Sequence, residues 1–318
     1  MGWHDTQMAT DQSNSGAANL GSHAHGTDER NAGVLFDVNG ELVTRERAVI
    51  SVFDSGFILG DGIWEGLRLK RGRVAFLERH LDRIFGGARA IDLDIGLTRD
   101  ELRARIQRVI DANGMEDGVH IRLMITRGEK STPYQDPRVV ISPATIVILA
   151  EYKSAGPEAF TSGLKLFTVH VRRGRPDVQD PRLNTHSKHN CIQACIQATK
   201  AGADEALMLD PQGFVATCNS THFFIVTRGE VWTSTGDYCL DGITRRAVIE
   251  AAENAGITVR QKNFSLSDVY AAEEAFVTGT YAGLTSVGSV DGRDFEGPFP
   301  GPMVARLTEL YQALAAST

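Results

Sequence analysis

The spacing of apolar and polar positions changes near residue 33. Up to about Ala32 small polar residues predominate, which reads as a flexible leader over residues 1–32 with His23 and His25 solvated. Beyond it, Val34 to Val38, the pair Asn39-Gly40 and Glu41 to Thr44 predict a β-hairpin. Ala48 to Phe53 predicts another extended segment, and Ile63 to Leu69 with Val74 to Phe76, flanking Arg71, Gly72 and Arg73, a second hairpin. Leu77, Leu81, Ile84 and Phe85 form the apolar stripe of a helix over about Leu77 to Ile91. A second helix opens at Thr98 with Glu101 at capping-box spacing, carries Leu102, Ile106 and Ile110 inward, and stops at Asn113-Gly114. Strands at His120 to Thr126 and Ala144 to Glu151, joined by a polar, proline-bearing loop, complete a smaller α+β unit over residues 33–152.

Lys153 to Gly163, with Pro157 and two glycines, reads as a linker to a larger unit over residues 164–318. That unit opens with a strand at Leu164 to Val171 and a basic loop, Arg172 to Ser187. A helix at His189 to Ala201 follows, then strands at Ala206 to Leu209, Thr221 to Val226 and Val231 to Thr233. The pattern continues with a helix at Thr244 to Ala255, strands at Thr258 to Gln261 and Ala275 to Thr278, and a closing helix near Pro302 to Ala315. This is mixed α/β material without a repeat that would indicate a solenoid or propeller.

Composition narrows the function classes. The 318 residues are 42% hydrophobic and 23% charged, with a formal charge of −7, so no general positive field invites nucleic acid or anionic lipid. Val139 to Ala150, interrupted by Ser142 and Pro143, is shorter than the roughly 20 residues a membrane span needs. The leader lacks the cationic and apolar order of a secretory signal. Cys191, Cys195, Cys218 and Cys239 form no Cys-x-x-Cys pair and read as reduced thiols of a cytoplasmic protein. Cys191 and Cys195 share one helix face, but no histidine at ligand spacing accompanies them, and no metal is expected.

Chemistry is sought first among the seven lysines. Lys70, Lys130, Lys153, Lys165, Lys200 and Lys262 stand in polar or turn-flanking contexts. Lys188 instead falls where a loop enters a helix, whose positive end favours a free amine, although a solvated surface lysine fits the same position. Asp241 to Arg245 place a glycine and a hydroxyl at a helix start, where unpaired amides bind phosphate; Thr278, Gly279 and Thr280 offer a second anion nest at a strand end. An ordinary N-cap and an ordinary turn would explain each separately. Neither resembles a nucleotide loop.

Together, these segments resemble the class IV aminotransferases. The resemblance is carried in order by FDSGFILGDGIWEGLR (53–68), RHLDRI (79–84), Lys188 before its helix, GADEALMLDPQGFVATCNSTHFFIV (202–226), DGITRR (241–246) and EAFVTGTYAGLTSV (274–287). The family includes branched-chain and D-amino-acid aminotransferases, (R)-amine transaminases and aminodeoxychorismate lyases. It implies a two-domain fold type IV arrangement with a barrel-like larger unit, a homodimer with the site at the subunit interface, and pyridoxal 5′-phosphate between the domains. Lys188 is similar to the lysine that holds the cofactor covalently and then moves the proton. Arg83 is similar to the phosphate arginine, Ile243 and Thr244 to the helix-start amides, and Gly279 and Thr280 to the second phosphate turn.

Three departures accompany the resemblance. Thr217 stands where the family usually places the glutamate that faces the cofactor's ring nitrogen, and is expected to bind that nitrogen through its hydroxyl without supplying a charge; His222 stands where asparagine is common, and Leu59 where tyrosine is usual. Arg68 matches the branched-chain group, whereas the Arg-x-His carboxylate trap of the D-amino-acid enzymes is replaced by Glu129 to Thr132. Leu59, Trp64 and Leu123 would line an apolar side-chain pocket, with Trp64 equally readable as core. Arg172, Arg173 and Arg175 would supply a carboxylate site or form a solvated basic loop, and Tyr281 would also face the substrate. The expected activity is transfer of an amino group from a branched-chain-like donor to an α-keto acid. Alternatives are a D-amino-acid or (R)-amine transaminase, a lyase of the aminodeoxychorismate type, or a catalytically weak protein that holds the cofactor.

Overall fold

The computed structural model describes residues 28–153 and 161–318; most of the expected leader and of the expected linker lie outside the described residues. The first sheet is antiparallel, ordered β2-β1-β6-β5-β3-β4. Its strands are β1 (Phe36–Val38), β2 (Glu41–Val43), β3 (Gly62–Lys70), β4 (Arg73–Val74), β5 (Val119–Thr126) and β6 (Thr145–Tyr152). Both expected hairpins form. Asn39 and Gly40 have φ of 51° and 93°, the left-handed pair a tight hairpin turn requires. A short helix, α1 (Ser55–Leu59), precedes β3, and α2 (Leu77–Ala90) and α3 (Arg99–Ala112) cover the sheet. Helix α2 turns His80, Leu81, Ile84, Gly87 and Ala88 inward, and α3 carries the full Thr98–Glu101 capping box. Ala48 to Phe53 differs from expectation: it joins no sheet and leaves Val49, Ile50, Val52 and Phe53 exposed.

The second sheet is larger and mixed. Its strands are β7 (Leu164–Thr168), β8 (Glu205–Leu209), β9 (Val215–Cys218), β10 (His222–Thr227), β11 (Glu230–Thr233), β12 (Val259–Gln261), β13 (Glu274–Gly279), β14 (Gly283–Val290) and β15 (Arg293–Asp294). The order is β12-β11-β10-β13-β14-β7-β8-β9, with β15 on β14. The sheet curls until β9 returns beside the start of β10, where the Cys218 N–H donates to the Thr221 carbonyl at 3.0 Å. Residues alternate across it: Phe223 and Ile225 pack inside the curl, while Phe224 and Val226 face the outer helices. Those helices are α4 (His189–Lys200), α5 (Ile243–Asn254), the short α6 (Leu266–Tyr270) and α7 (Pro302–Ala316). Strands β9 and β14 and helix α6 were not expected from the sequence pattern. Lys130 also departs from expectation, being buried with its amine donating to the Asp136 carbonyl at 3.3 Å.

The first unit is pinned by an ion cluster. Asp37 on β1 is fully buried and accepts from Arg105, from Arg108 at 2.6 Å and from the Gly40 N–H at 3.0 Å. Removing the carboxylate would leave the largely buried Arg105 guanidinium, 17% exposed, and a turn amide without their partner. We therefore expect Asp37→Ala to cost about 3 kcal/mol, seen as a lowered urea midpoint. Arg108→Ala, at the half-exposed member, should cost at most about 1 kcal/mol.

Candidate active site

The site grows from a carboxylate buried in the first sheet. Glu65 on β3 is 1% exposed and accepts from Arg83 through Nε at 2.7 Å and Nη2 at 2.6 Å, while His80 Nδ1 lies 2.7 Å away. Burial alone would raise the Glu65 pKa, but the Arg83 charge and the hydrogen bonds from Arg83 and His80 outweigh it and hold the pKa below its ordinary value. The same burial, only partly offset by Glu65, lowers the His80 pKa. Arg83 also donates through Nη1 to the Asp241 carbonyl at 2.8 Å. Three of its five N–H groups are thus committed, which leaves one on each Nη for an anion.

Asp241 leads into α5, whose N-cap, Gly242, provides no side-chain cap. The first-turn amides at Ile243 and Thr244 therefore face a cleft with the helix's positive end behind them. Arg83, Ile243 and Thr244 line it together with Gly279, Thr280 and Tyr281 from the β13–β14 turn and with Trp64 from β3. The Trp64 wall is tied to the loop before α4: the Trp64 N–H donates to the Asn184 carbonyl at 3.0 Å, and Asn184 Nδ2 to the Trp64 carbonyl at 2.6 Å.

Lys188 ends that loop as the N-cap of α4. Its Nζ lies 5.7 Å from the centre of the Trp64 ring, but its side chain lines an adjoining cavity, with Arg172, Arg173 and Cys191, rather than the cleft itself. Burial lowers its pKa to about 8, with Arg173 and Arg83 adding to the effect and Cys191 and Glu65 opposing it.

The remaining expected site residues lie outside the cleft lining. The Thr217 hydroxyl is buried in β9 and donates to the Thr221 carbonyl at 2.8 Å. Arg68 donates to the Lys153 carbonyl at 2.5 Å, with its guanidinium 5.8 Å from the Tyr281 ring centre. Leu59 ends α1 and is 39% exposed. The sequence pattern did not single out Glu65 or Asn184, and gave Arg245 only as the end of the Asp241–Arg245 segment. The only available signal was Glu65's place in the WEGLR run.

The cleft is chemically incomplete without a ligand. Five buried side-chain atoms lack a hydrogen-bond partner among the described residues, and those of Asn184, His222, Arg245 and Thr278 belong to lining residues. Cationic Arg83 and the α5 amides suit a dianion, while Trp64, Leu240 and Val277 provide apolar surface. These residues fit an aromatic ring carrying a phosphate.

Residues 62–290 match the model of the amino-transferase class IV family. The chain is 39% identical over 286 residues to the Arabidopsis thaliana branched-chain-amino-acid aminotransferase-like protein 2, covering 89% of this chain but 51% of that protein, so it spans about half of that relative's length. It is 36% identical to a putative branched-chain-amino-acid aminotransferase of Methanocaldococcus jannaschii, covering 86% of this chain and 94% of that one. Among solved structures, a T.th. branched-chain amino acid aminotransferase complexed with N-(5′-phosphopyridoxyl)-L-glutamate superposes with a TM-score of 0.82 at 28% identity, over 90% of this chain and 95% of that chain. The two-sheet architecture is thus that of the fold type IV pyridoxal-phosphate aminotransferases.

The Lys188 environment has a direct readout. Its amine is free above pH about 8, so competitive labelling of cofactor-free protein with acetic anhydride should show its reactivity rising through that pH. A rise centred on the ordinary lysine value, near 10.5, would contradict the buried, cation-flanked setting.

Proposed function

The chain belongs to the class IV aminotransferases, and on that premise we propose that it moves an amino group from a branched-chain-type amino acid to an α-keto acid. Its cofactor is pyridoxal 5′-phosphate. The observation that carries this reading is the convergence of Arg83, the Ile243–Thr244 amides and the Gly279–Thr280 turn on one cleft, with the Lys188 amine beside its Trp64 wall.

In this reading, the two remaining Arg83 N–H groups and the amides of α5 and the β13–β14 turn grip the phosphate. The cofactor, when bound, supplies an electrophilic carbonyl carbon and a sink for negative charge developing at the substrate Cα. Lys188, whose pKa is lowered to about 8, would hold the cofactor covalently through its free amine and would serve as the base and acid for the proton at the substrate Cα. Trp64 and Tyr281 form the walls that exclude water from that transfer.

A second copy of the chain closes the site. Val49, Ile50, Val52, Phe53, Phe57 and Leu59 are all exposed in the eleven-residue stretch 49–59 before β3, with Val52 at 67% and Phe57 at 69%; such a patch calls for a partner surface. The four free cysteines suit a reducing compartment, and we place the enzyme in the cytoplasm.

Borohydride reduction of the protein isolated with its cofactor should leave a phosphopyridoxyl group on the peptide containing Lys188. An adduct on another lysine, or none, would overturn the assignment. Lys188→Ala should lower turnover by roughly a thousandfold. Among donors followed spectrally, L-leucine or L-valine should convert the bound cofactor fastest; faster conversion by D-alanine would move the substrate assignment to the D-amino-acid group. Phe57→Asp should shift sedimentation from dimer to monomer, and unchanged sedimentation would remove this patch from the interface.

A further inference from the structure

His222 begins β10 at the inner wall of the cleft and is only 7% exposed. One ring nitrogen is bonded to the Leu240 backbone, and Nε2 has no partner, so the bonded atom is Nδ1, donating to the Leu240 carbonyl. That bond fixes the tautomer and leaves Nε2 with a lone pair, able to accept but not to donate. The ring is also held in place by Gly242, where a Cβ would come within 2.9 Å of it. Its cross-strand neighbour, Thr278, likewise presents a buried hydroxyl without a partner.

The setting determines what could complete this histidine. Arg245, Arg173 and Arg83 lie around it, and burial together with these charges brings its pKa down to about 3, so the ring stays neutral. A phosphate oxygen offers lone pairs and cannot satisfy another lone pair. Of the donors on pyridoxal phosphate, the 3-hydroxyl is ortho to the aldehyde and bonds within the cofactor, which leaves the protonated ring nitrogen, para to the carbon bearing the aldehyde. Lys188, which would hold that aldehyde, has its amine 5.7 Å from the centre of the Trp64 ring, and His222 packs against Gly242 in the cleft lining. Thr217 has committed its hydroxyl hydrogen to Thr221 and lies outside the lining.

We propose that His222, through Nε2, accepts the hydrogen bond of the cofactor's protonated ring nitrogen, a neutral acceptor in place of a carboxylate. The assignment rests on the cofactor reading above and adds a specific partner to it. An acceptor with a fixed tautomer favours the protonated ring over the unprotonated one, but without the charge attraction an anionic partner would give.

The test compares pyridoxal phosphate with its 1-deaza analogue, in which carbon replaces the ring nitrogen, by fluorescence titration of cofactor-free protein. The wild type should bind pyridoxal phosphate about tenfold more tightly than the analogue, the worth of one buried hydrogen bond. His222→Leu should bring the two within about twofold by weakening pyridoxal phosphate alone. An unchanged preference in the variant would overturn the proposal. Should the leucine variant fail to fold, 15N NMR of wild-type protein labelled at histidine and loaded with 15N-pyridoxal phosphate decides the matter. Scalar coupling across the hydrogen bond to Nε2 supports it, and an unprotonated ring nitrogen or a ring N–H coupled elsewhere refutes it. Failure of the underlying reading looks different: neither compound would bind, and borohydride would leave no adduct on Lys188.

Discussion

The charge of Glu65, held inside the first sheet by Arg83, is the interaction on which the site depends. A buried carboxylate is costly unless paired, and here the pairing fixes the guanidinium through two hydrogen bonds while His80 holds one carboxylate oxygen from the other side. Arg83 then reaches the Asp241 carbonyl at the threshold of α5. One side chain therefore connects the interior of the first sheet to the helix start of the second, and the distance between an anion's cationic ligand and its amide ligands is set by packed backbone.

The two sheets contribute different properties to the cleft. The first supplies rigidity: β3 is paired with β5 from Gly62 to Leu69, and Trp64 is tied at both its N–H and its carbonyl to the Asn184 segment. The second supplies unpaired donors, because an α-helix start and a strand-to-strand turn both leave amides without intrinsic partners. Lys188 stands at the junction, on a helix N-terminus that disfavours its positive charge and close to two arginines that do the same.

How much of this could be read in the sequence depended on how local the cause was. The Asn39-Gly40 hairpin, the Thr98–Glu101 capping box and the start of α5 are decided within a few residues, and their patterns were visible. Strand β14 was not, because GLTSVGSV mixes glycine and hydroxyl residues in a run that looks like a loop. It is a strand because it lies between β13 and β7, which satisfy its backbone and bury Thr285, Ser286 and Ser289. Ala48 to Phe53 failed in the opposite sense: its apolar residues promise a strand, yet among the described residues no strand pairs with it. Lys130 and Glu65 became notable only through partners or burial that composition does not encode. The cluster of Arg83, Ile243–Thr244 and Gly279–Thr280 could be assembled from the sequence only through the resemblance, since these positions are about 160 and 35 residues apart.

The distribution of unsatisfied polar atoms links folding to function. A buried donor or acceptor without a partner costs about 1–3 kcal/mol, so a fold selected for stability alone would scatter few of them and gather none. Here Asn184, His222, Arg245 and Thr278 carry such atoms around a single cleft, whereas the buried Glu65 is paired with Arg83 of the lining. Binding energy from a ligand that supplies the missing partners is then available without rearrangement of the protein, and preorganisation of that kind favours tight retention of a cofactor between turnovers.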